Sequence, residues 1–309
     1  MSRRLRGKSD IRWRDLHGIV LLDKPLGLSS NQALQAVRKL LRAAKGGHTG
    51  ALDPLATGLL PLCLGEATKL AGLLLGSRKA YRATVRLGIT TTTADSEGAV
   101  LEQRPVPPLD RATVERALAR FRGRIVQVPP VYSAIKQGGE ALYVKARRGD
   151  AVEVPPREVD IHRLELLAVD EDSLGLEVEC GSGTYIRSLA VDLGQLLGCG
   201  AHLIALRRLW VEPFREPAMV TLAQVEAAAA QGEEALEALL LPVAAGLADH
   251  PAVHLDAMQS AAIRQGQPLV LTAAPCIGPC AVFADDGHLL ALGELGAEGR
   301  LGIRRGFNL

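Results

Sequence analysis

Residues 46–70, GGHTGALDPLATGLLPLCLGEATKL, are apolar yet cannot form one helix. Five glycines and two prolines interrupt the run, and each either frees or fixes the backbone where a helix needs neither. The pattern predicts a structured loop, a strand near Leu59–Leu64 and a helix over Glu66–Leu75. One acidic side chain, Asp53, stands among small and apolar neighbours. Pro54 biases it away from helical backbone, and the flanking glycines let the chain approach a ligand closely. A carboxylate in such a place needs a cation or donors, or its pKa rises. On spacing alone, Asp53 reads equally as a turn residue bonding its own backbone.

The rest of the chain alternates strands and helices. Gly18–Asp23 is a short buried strand, and Ser29 or Ser30 caps a helix whose apolar residues Leu34, Val37, Leu40 and Leu41 share one face; Gly46-Gly47 is expected to end it. Lys79–Leu87 alternates as a strand. Glu158–Val169 and Leu174–Cys180 read as paired strands, Tyr185–Leu197 as a helix, and His202–Val211 as a strand. Asp110 caps a helix around Val114–Phe121, and Thr221 with Gln224 forms a capping box. After His250 short apolar runs return between Gly and Pro, which suggests a small β module. The expected fold class is α+β, with boundaries at 1–16 (a basic arm), 17–247 (the main domain) and 248–309.

Composition narrows the function. Only ten of 309 residues are aromatic, too few for a surface that stacks many bases. The net charge of +2 hides an uneven distribution. Arg3, Arg4, Arg6, Lys8, Arg12 and Arg14 face only Asp10 at the start, residues 217–263 carry six acids and no Lys or Arg, and Arg300, Arg304 and Arg305 close the chain. Either these are ordinary solvated faces, or the arm, Arg207, Arg208 and the last arginines make a polyanion surface. No apolar run is long enough to span a membrane, and the basic start has no apolar core behind it, so it is not a secretory signal. Five cysteines fit reduced thiols in the cytoplasm. Cys276 and Cys280 lack a second ligand pair, and no nucleotide-binding glycine motif occurs, so neither a metal nor a cofactor is expected.

Two other segments carry suitable chemistry. Tyr81 is a lone aromatic on the Lys79–Leu87 strand, and Gly183-Thr184-Tyr185-Ile186-Arg187-Ser188 offers a tyrosine beside an arginine. Arg187 is a candidate partner that would hold Asp53 ionised. The plainer alternatives are core tyrosines with satisfied hydroxyls and a surface ion pair of little worth.

At these residues the sequence resembles the TruB-type tRNA pseudouridine synthases. The match includes Asp23-Lys24-Pro25-x-Gly27-x-Ser29-Ser30, Gly47-His48-Thr49-Gly50-Ala51-Leu52-Asp53-Pro54-Leu55-Ala56-Thr57-Gly58, and Gly65-Glu66-Ala67-Thr68-Lys69. Lys79-x-Tyr81, Pro129-Pro130-x-Tyr132-Ser133-Ala134-x-Lys136, Gly183–Leu189, Gly198–Leu203 and Leu206-Arg207-Arg208-Leu209 continue it in register. The resemblance implies an enzyme that isomerises the uridine at position 55 in the T-loop of tRNA. It implies Asp53 as nucleophile, Tyr81 stacking on the flipped base and assisting proton transfer, and Arg187 paired with Asp53. Tyr185 would line the pocket, His48 would hold the extruded nucleotide, and Lys24 and Pro25 would support the pocket floor; Arg207 and Arg208 would face the RNA. It further implies a pseudouridine-synthase domain with a mixed central sheet and a C-terminal PUA-like RNA-binding barrel. The enzyme would be a cytoplasmic monomer acting on the tRNA T-arm, with no membrane and no required protein partner. Thr92 stands where the family usually has an Asp, whereas Asp95 is kept. The competing readings are a non-catalytic RNA-binding or tRNA-folding protein, and a relative that works within a guide-RNA complex.

Overall fold

A computed structural model describes residues 12–133, 135–150, 152–271 and 276–309. Arg3, Arg4, Arg6 and Lys8, most of the expected basic arm, lie outside them.

The main domain runs through β1 (Gly18–Lys24), α1 (Ser30–Leu41), β2 (Gly46–His48), β3 (Ala56–Leu64), α2 (Ala71–Leu75), β4 (Lys79–Leu87), β5 (Ile89–Thr91) and β6 (Val100–Gln103). It continues with α3 (Arg111–Leu118), β7 (Gly123–Gln127), β8 (Lys136–Gln137), β9 (Glu140–Ala141), α4 (Leu142–Arg148), β10 (Arg157–Val169) and β11 (Ser173–Cys180). It ends with α5 (Ile186–Leu196), β12 (Ala201–Val211), β13 (Val220–Thr221), α6 (Leu222–Gln231) and α7 (Glu233–Glu237). Eight of these strands form a mixed sheet in the order β13-β1-β3-β12-β4-β11-β10-β7, with β2 as a ninth paired to β3. The pairing is antiparallel except at β1–β13 and β3–β12.

The broken segment around Asp53 thus yields a nine-residue strand, longer than Leu59–Leu64 and inside the sheet. Pro61 is tolerated there for a local reason. Its carbonyl accepts from the Thr49 N–H at 3.2 Å, so its missing N–H would also point to that side. On that side, β12 pairs only with residues 56–58 and β2 only with 62–64, so Pro61 falls between the two ladders. Gly58 is obligatory: its φ is +96°, and a Cβ would lie 2.2 Å from the Arg208 carbonyl oxygen.

Ser29 caps α1 with Gln32 in a capping box, as its sequence suggests, and Ala33, Leu34, Val37 and Leu41 are buried. Its end differs from expectation. Arg42 adopts a left-handed conformation and closes the helix, while Gly46 and Gly47 open β2. The acidic segment after residue 217 folds back here: Glu233 and Glu237 pair with Arg14 and Arg42. Charges that look separated in sequence therefore neutralise one another.

The C-terminal sheet comprises β14 (Ala252–Leu255), β15 (Leu269–Val270), β16 (Gly278–Ala284), β17 (Leu289–Leu295) and β18 (Arg300–Gly306), with α8 (Ala257–Arg264) between the first two. Its order is β14-β16-β17-β18-β15. One side of it joins the main core, where Ala281, Leu289, Leu292 and Phe307 pack with Ile19, Leu59 and Leu70. The tail is clamped by the Gly65–Lys69 motif. Lys69 Nζ donates to the Gly306 carbonyl at 2.8 Å, and the Asn308 N–H donates to Glu66 at 2.8 Å.

Candidate active site

The loop 49–55 that carries Asp53 is held from three sides. Ser30 Oγ, at the start of α1, accepts from the Leu52 N–H at 2.7 Å and donates to its carbonyl at 3.1 Å. The Gly27 N–H donates to the Pro54 carbonyl at 2.8 Å, and the Ala56 N–H closes a turn onto the Asp53 carbonyl at 3.0 Å. The turn expected around Asp53 is therefore real, but its backbone makes it. The carboxylate itself points elsewhere.

It points at Arg187. The Asp53–Arg187 contact is 3.0 Å, with the arginine side chain 5% exposed and the aspartate side chain 41%. Arg187 comes from the first turn of α5 and also reaches Asp95 at 3.3 Å, the Thr93 carbonyl at 3.0 Å and the Tyr132 carbonyl at 2.8 Å. This is no solvated surface pair: the guanidinium is buried between two carboxylates and two carbonyls, which fixes both its position and that of Asp53. Burial pushes the Asp53 carboxyl above its ordinary range; Arg187 pulls it back, and Asp95 raises it again.

Asp53 and Arg187 border a cleft of about 370 Å³ that Tyr81, Tyr185 and Arg208 also line. Tyr81, on β4, is 8% exposed, and burial raises its phenol pKa. Tyr185 opens α5; its N–H donates to Gln127 Oε1 at 2.7 Å, and the Arg157 guanidinium lies 5.0 Å from its ring centre. Leu52, Leu206 and Ile186 supply the apolar wall. One acid, one buried cation and one enclosed aromatic face thus meet in a space of ordinary ligand size.

The other residues singled out from sequence fall around this centre. Lys24 is fully buried, donates to the Pro25 and Leu28 carbonyls at 2.9 and 2.5 Å, and is lowered to about 8 by burial. Pro25 is part of its cradle. His48 lies on β2, outside the residues lining the cleft. Burial lowers its imidazole, and Nδ1 has no hydrogen-bond partner among the described residues.

Arg207 and Arg208, grouped in the sequence as part of one polyanion surface, are separated by the fold. Arg207 is engaged by Asp23 in a two-pronged pair at 2.9 and 2.8 Å. Arg208 is 1% exposed and forms part of the cleft wall. Alternation along β12 puts the two side chains on opposite faces of the sheet, so they cannot form one patch. Sequence reasoning also missed Asp95 as the second partner of Arg187: Asp95 stands out as a retained acid, but no spacing links positions 95 and 187.

Known proteins align with nearly the whole chain. Residues 38–186 match the model of the TruB family pseudouridylate synthase N-terminal domain. Residues 187–248 match the tRNA pseudouridylate synthase B C-terminal domain, and residues 251–307 match the C-terminal domain of pseudouridine synthase II TruB. The tRNA pseudouridine synthase B of Xanthomonas campestris pv. campestris strain B100 is 60% identical over 298 residues, which is 96% of each chain. This chain belongs to the TruB family of pseudouridylate synthases. The Xylella fastidiosa TruB relative, also called tRNA pseudouridine synthase B, is 58% identical over 97% of this chain and 99% of its own. Among solved structures, a chain of a Cbf5-Nop10-Gar1 complex superposes with a TM-score of 0.73 at 26% identity, covering 98% of this chain and 87% of that one. A chain of an H/ACA RNP bound to a substrate RNA has the same fold, with a TM-score of 0.73 at 24% identity. Among the described residues no helix is long and apolar enough to cross a membrane.

Proposed function

We propose that this TruB-family enzyme is a tRNA pseudouridine synthase that isomerises uridine 55 of the T-loop, with Asp53 as the nucleophile. The observation that carries the proposal is the Asp53–Arg187–Asp95 arrangement at the edge of a cleft faced by Tyr81. Pure RNA binding gains nothing from an acid aimed into a site meant for a phosphate-rich ligand.

The reaction breaks the N1–C1′ bond and joins C5 to C1′, so C5 loses a proton and N1 gains one. An ionised carboxylate attacks the base at C6 or the ribose at C1′ and is expelled when the ring re-adds. Arg187 pulls the Asp53 carboxyl down against the rise that burial causes, which favours the ionised nucleophile. The uridine leaves its stack to reach the cleft, where Tyr81 provides one aromatic face and assists proton transfer. Leu52, Ile186 and Leu206 help exclude water, so that the detached uracil re-adds instead of diffusing away.

In this reading Tyr185 lines the nucleotide pocket, His48 meets the extruded nucleotide, Lys24 and Pro25 support the floor, and Arg207 lies beside the RNA path. Residues 17–247 form the catalytic domain and 248–309 a PUA-like RNA-binding module. The relatives named tRNA pseudouridine synthase B support tRNA as substrate. The enzyme is taken to work in the cytoplasm as a monomer, without cofactor. Opening and refolding a tRNA loop would be a compatible second role.

Tritium release from C5-tritiated uridine in T-arm RNA tests the assignment. Asp53→Asn should release none while still binding the RNA, and its melting temperature should not fall. The sign follows from linkage. A carboxyl raised by burial costs stability once pH exceeds its ordinary pKa, and the amide removes that cost while Arg187 keeps Asp95. Near-normal release by Asp53→Asn would sink the proposal.

A further inference from the structure

Arg208 is among the largest fully buried side chains of the protein, 1% exposed. On β12 it is the direct cross-strand partner of Tyr81 on β4 and of Gly58 on β3. Its Nε donates to the Leu59 carbonyl at 2.7 Å and Nη2 to the Gly50 carbonyl at 3.2 Å. Among the described residues no carboxylate pairs with it. A guanidinium never sheds its proton, so a buried one served only by carbonyls is costly to keep. As cross-strand partners the two side chains stand on the same face of the sheet, and both line the cleft, where the Arg208 charge pulls the Tyr81 phenol down. One side chain therefore holds the start of the Asp53 loop at Gly50 and the following strand at Leu59, and stands beside the tyrosine of the same cleft.

We propose that Arg208 is the positioning residue for Tyr81: it fixes the phenol against the Asp53 loop and stabilises the phenolate that takes the C5 proton. This rests on the reading of Asp53 and Tyr81 given above. The step balances without any co-reactant: C5 gives its proton to the Tyr81 oxygen, the tyrosine returns it to water, and N1 takes a proton from water. A neutral phenol is a poor base. Burial, Cys180 and Asp53 all favour the neutral form of Tyr81, and Arg208 is the group that opposes them. Lys79, two residues before Tyr81, is itself lowered to about 8 by burial and by Arg208. It is turned to the Leu75 and Ser77 carbonyls at 3.0 and 2.6 Å, away from the phenol. His48 also feels the Arg208 charge.

Single-turnover tritium release from pH 6 to 9.5 provides the test, with Arg208→Gln and the charge-keeping Arg208→Lys. Arg208→Gln should lose at least about tenfold in rate at pH 7, the scale of a weakened proton transfer, with T-arm RNA affinity little changed. The deficit should shrink as pH rises, because the phenol now ionises later. Arg208→Lys should recover part of the loss, and it guards against failure of the neutral variant to fold. A deficit of equal size at every pH, or none at pH 7, would overturn the proposal, since a merely structural arginine does not move the profile. The shift should persist in a Lys79→Gln background; its disappearance there assigns it to Lys79 and overturns the role in Tyr81. Tyr81→Phe at wild-type rate removes the reading of the site itself. A slow Tyr81→Phe beside a parallel Arg208→Gln profile removes only the role of Arg208.

Discussion

Asp95→Asn should move stability and pH dependence in opposite senses. The substitution keeps the size of the side chain and its acceptor oxygen for the Glu97 N–H, which sits 3.1 Å away. It removes the negative charge 3.3 Å from Arg187. Orphaning a buried charge costs about 3–5 kcal/mol. Arg187 is not orphaned, because Asp53 at 3.0 Å and two carbonyls remain. The loss should therefore be that of one charged hydrogen bond, about 1.5–3 kcal/mol. At roughly 2–4 °C per kcal/mol for a domain of this size, the melting temperature should fall by about 3–12 °C. The Asp95 charge also raises the Asp53 carboxyl. Without it Asp53 stays ionised to lower pH, so the acid limb of the tritium-release profile should shift downward. Scanning calorimetry and single-turnover profiles read the two effects separately. An acid limb that moves up, or a melting temperature that does not change, would refute the placement of Arg187 as a shared partner.

Gly58→Ala should destabilise the domain by about 3–5 kcal/mol, since it combines backbone strain with a collision. The added Cβ would meet the Arg208 carbonyl oxygen at 2.2 Å; the urea midpoint measures the cost, and a shift below about 1 kcal/mol would contradict the close approach of the two strands. Phe307→Ala should cost the C-terminal sheet about 3–5 kcal/mol of local stability. The ring is 8% exposed within the core that joins the sheet to the main domain; faster hydrogen exchange in β17 and β18 than in β3 is the expected signature, and uniform exchange would argue against the clamp.

What the sequence discloses here depends on range. Caps are legible because they are local: Ser29 (one of two candidates), Asp110, and Thr221 with Gln224 all open the helices they announce. Lys79–Leu87 is a strand over the whole range expected of it, with Tyr81, Ala83, Val85 and Leu87 buried on one face. The partnership of Asp53 with Arg187 was reachable because each stands in a distinctive motif. Asp95 and Arg208 were not, for opposite reasons. Asp95 is drawn in by an arginine 92 positions away. Arg208 looks like a surface cation until β12 is placed between β3 and β4 and its side chain is buried there.

β12 occupies the middle of the main sheet, between β3 and β4, although it is nearly the last strand of that sheet in the chain. A nascent chain that has emerged only as far as α5 already carries Asp53, Tyr81 and Arg187. Yet β3 and β4 then face each other across a gap one strand wide. Each offers an unpaired edge able to recruit the wrong strand or another chain. Insertion of β12 satisfies both edges in one event and delivers Arg208 to the cleft as it does so. Such late, long-range closure is slow by its topology. It should make the last third of the main domain the step that decides between folding and aggregation during synthesis.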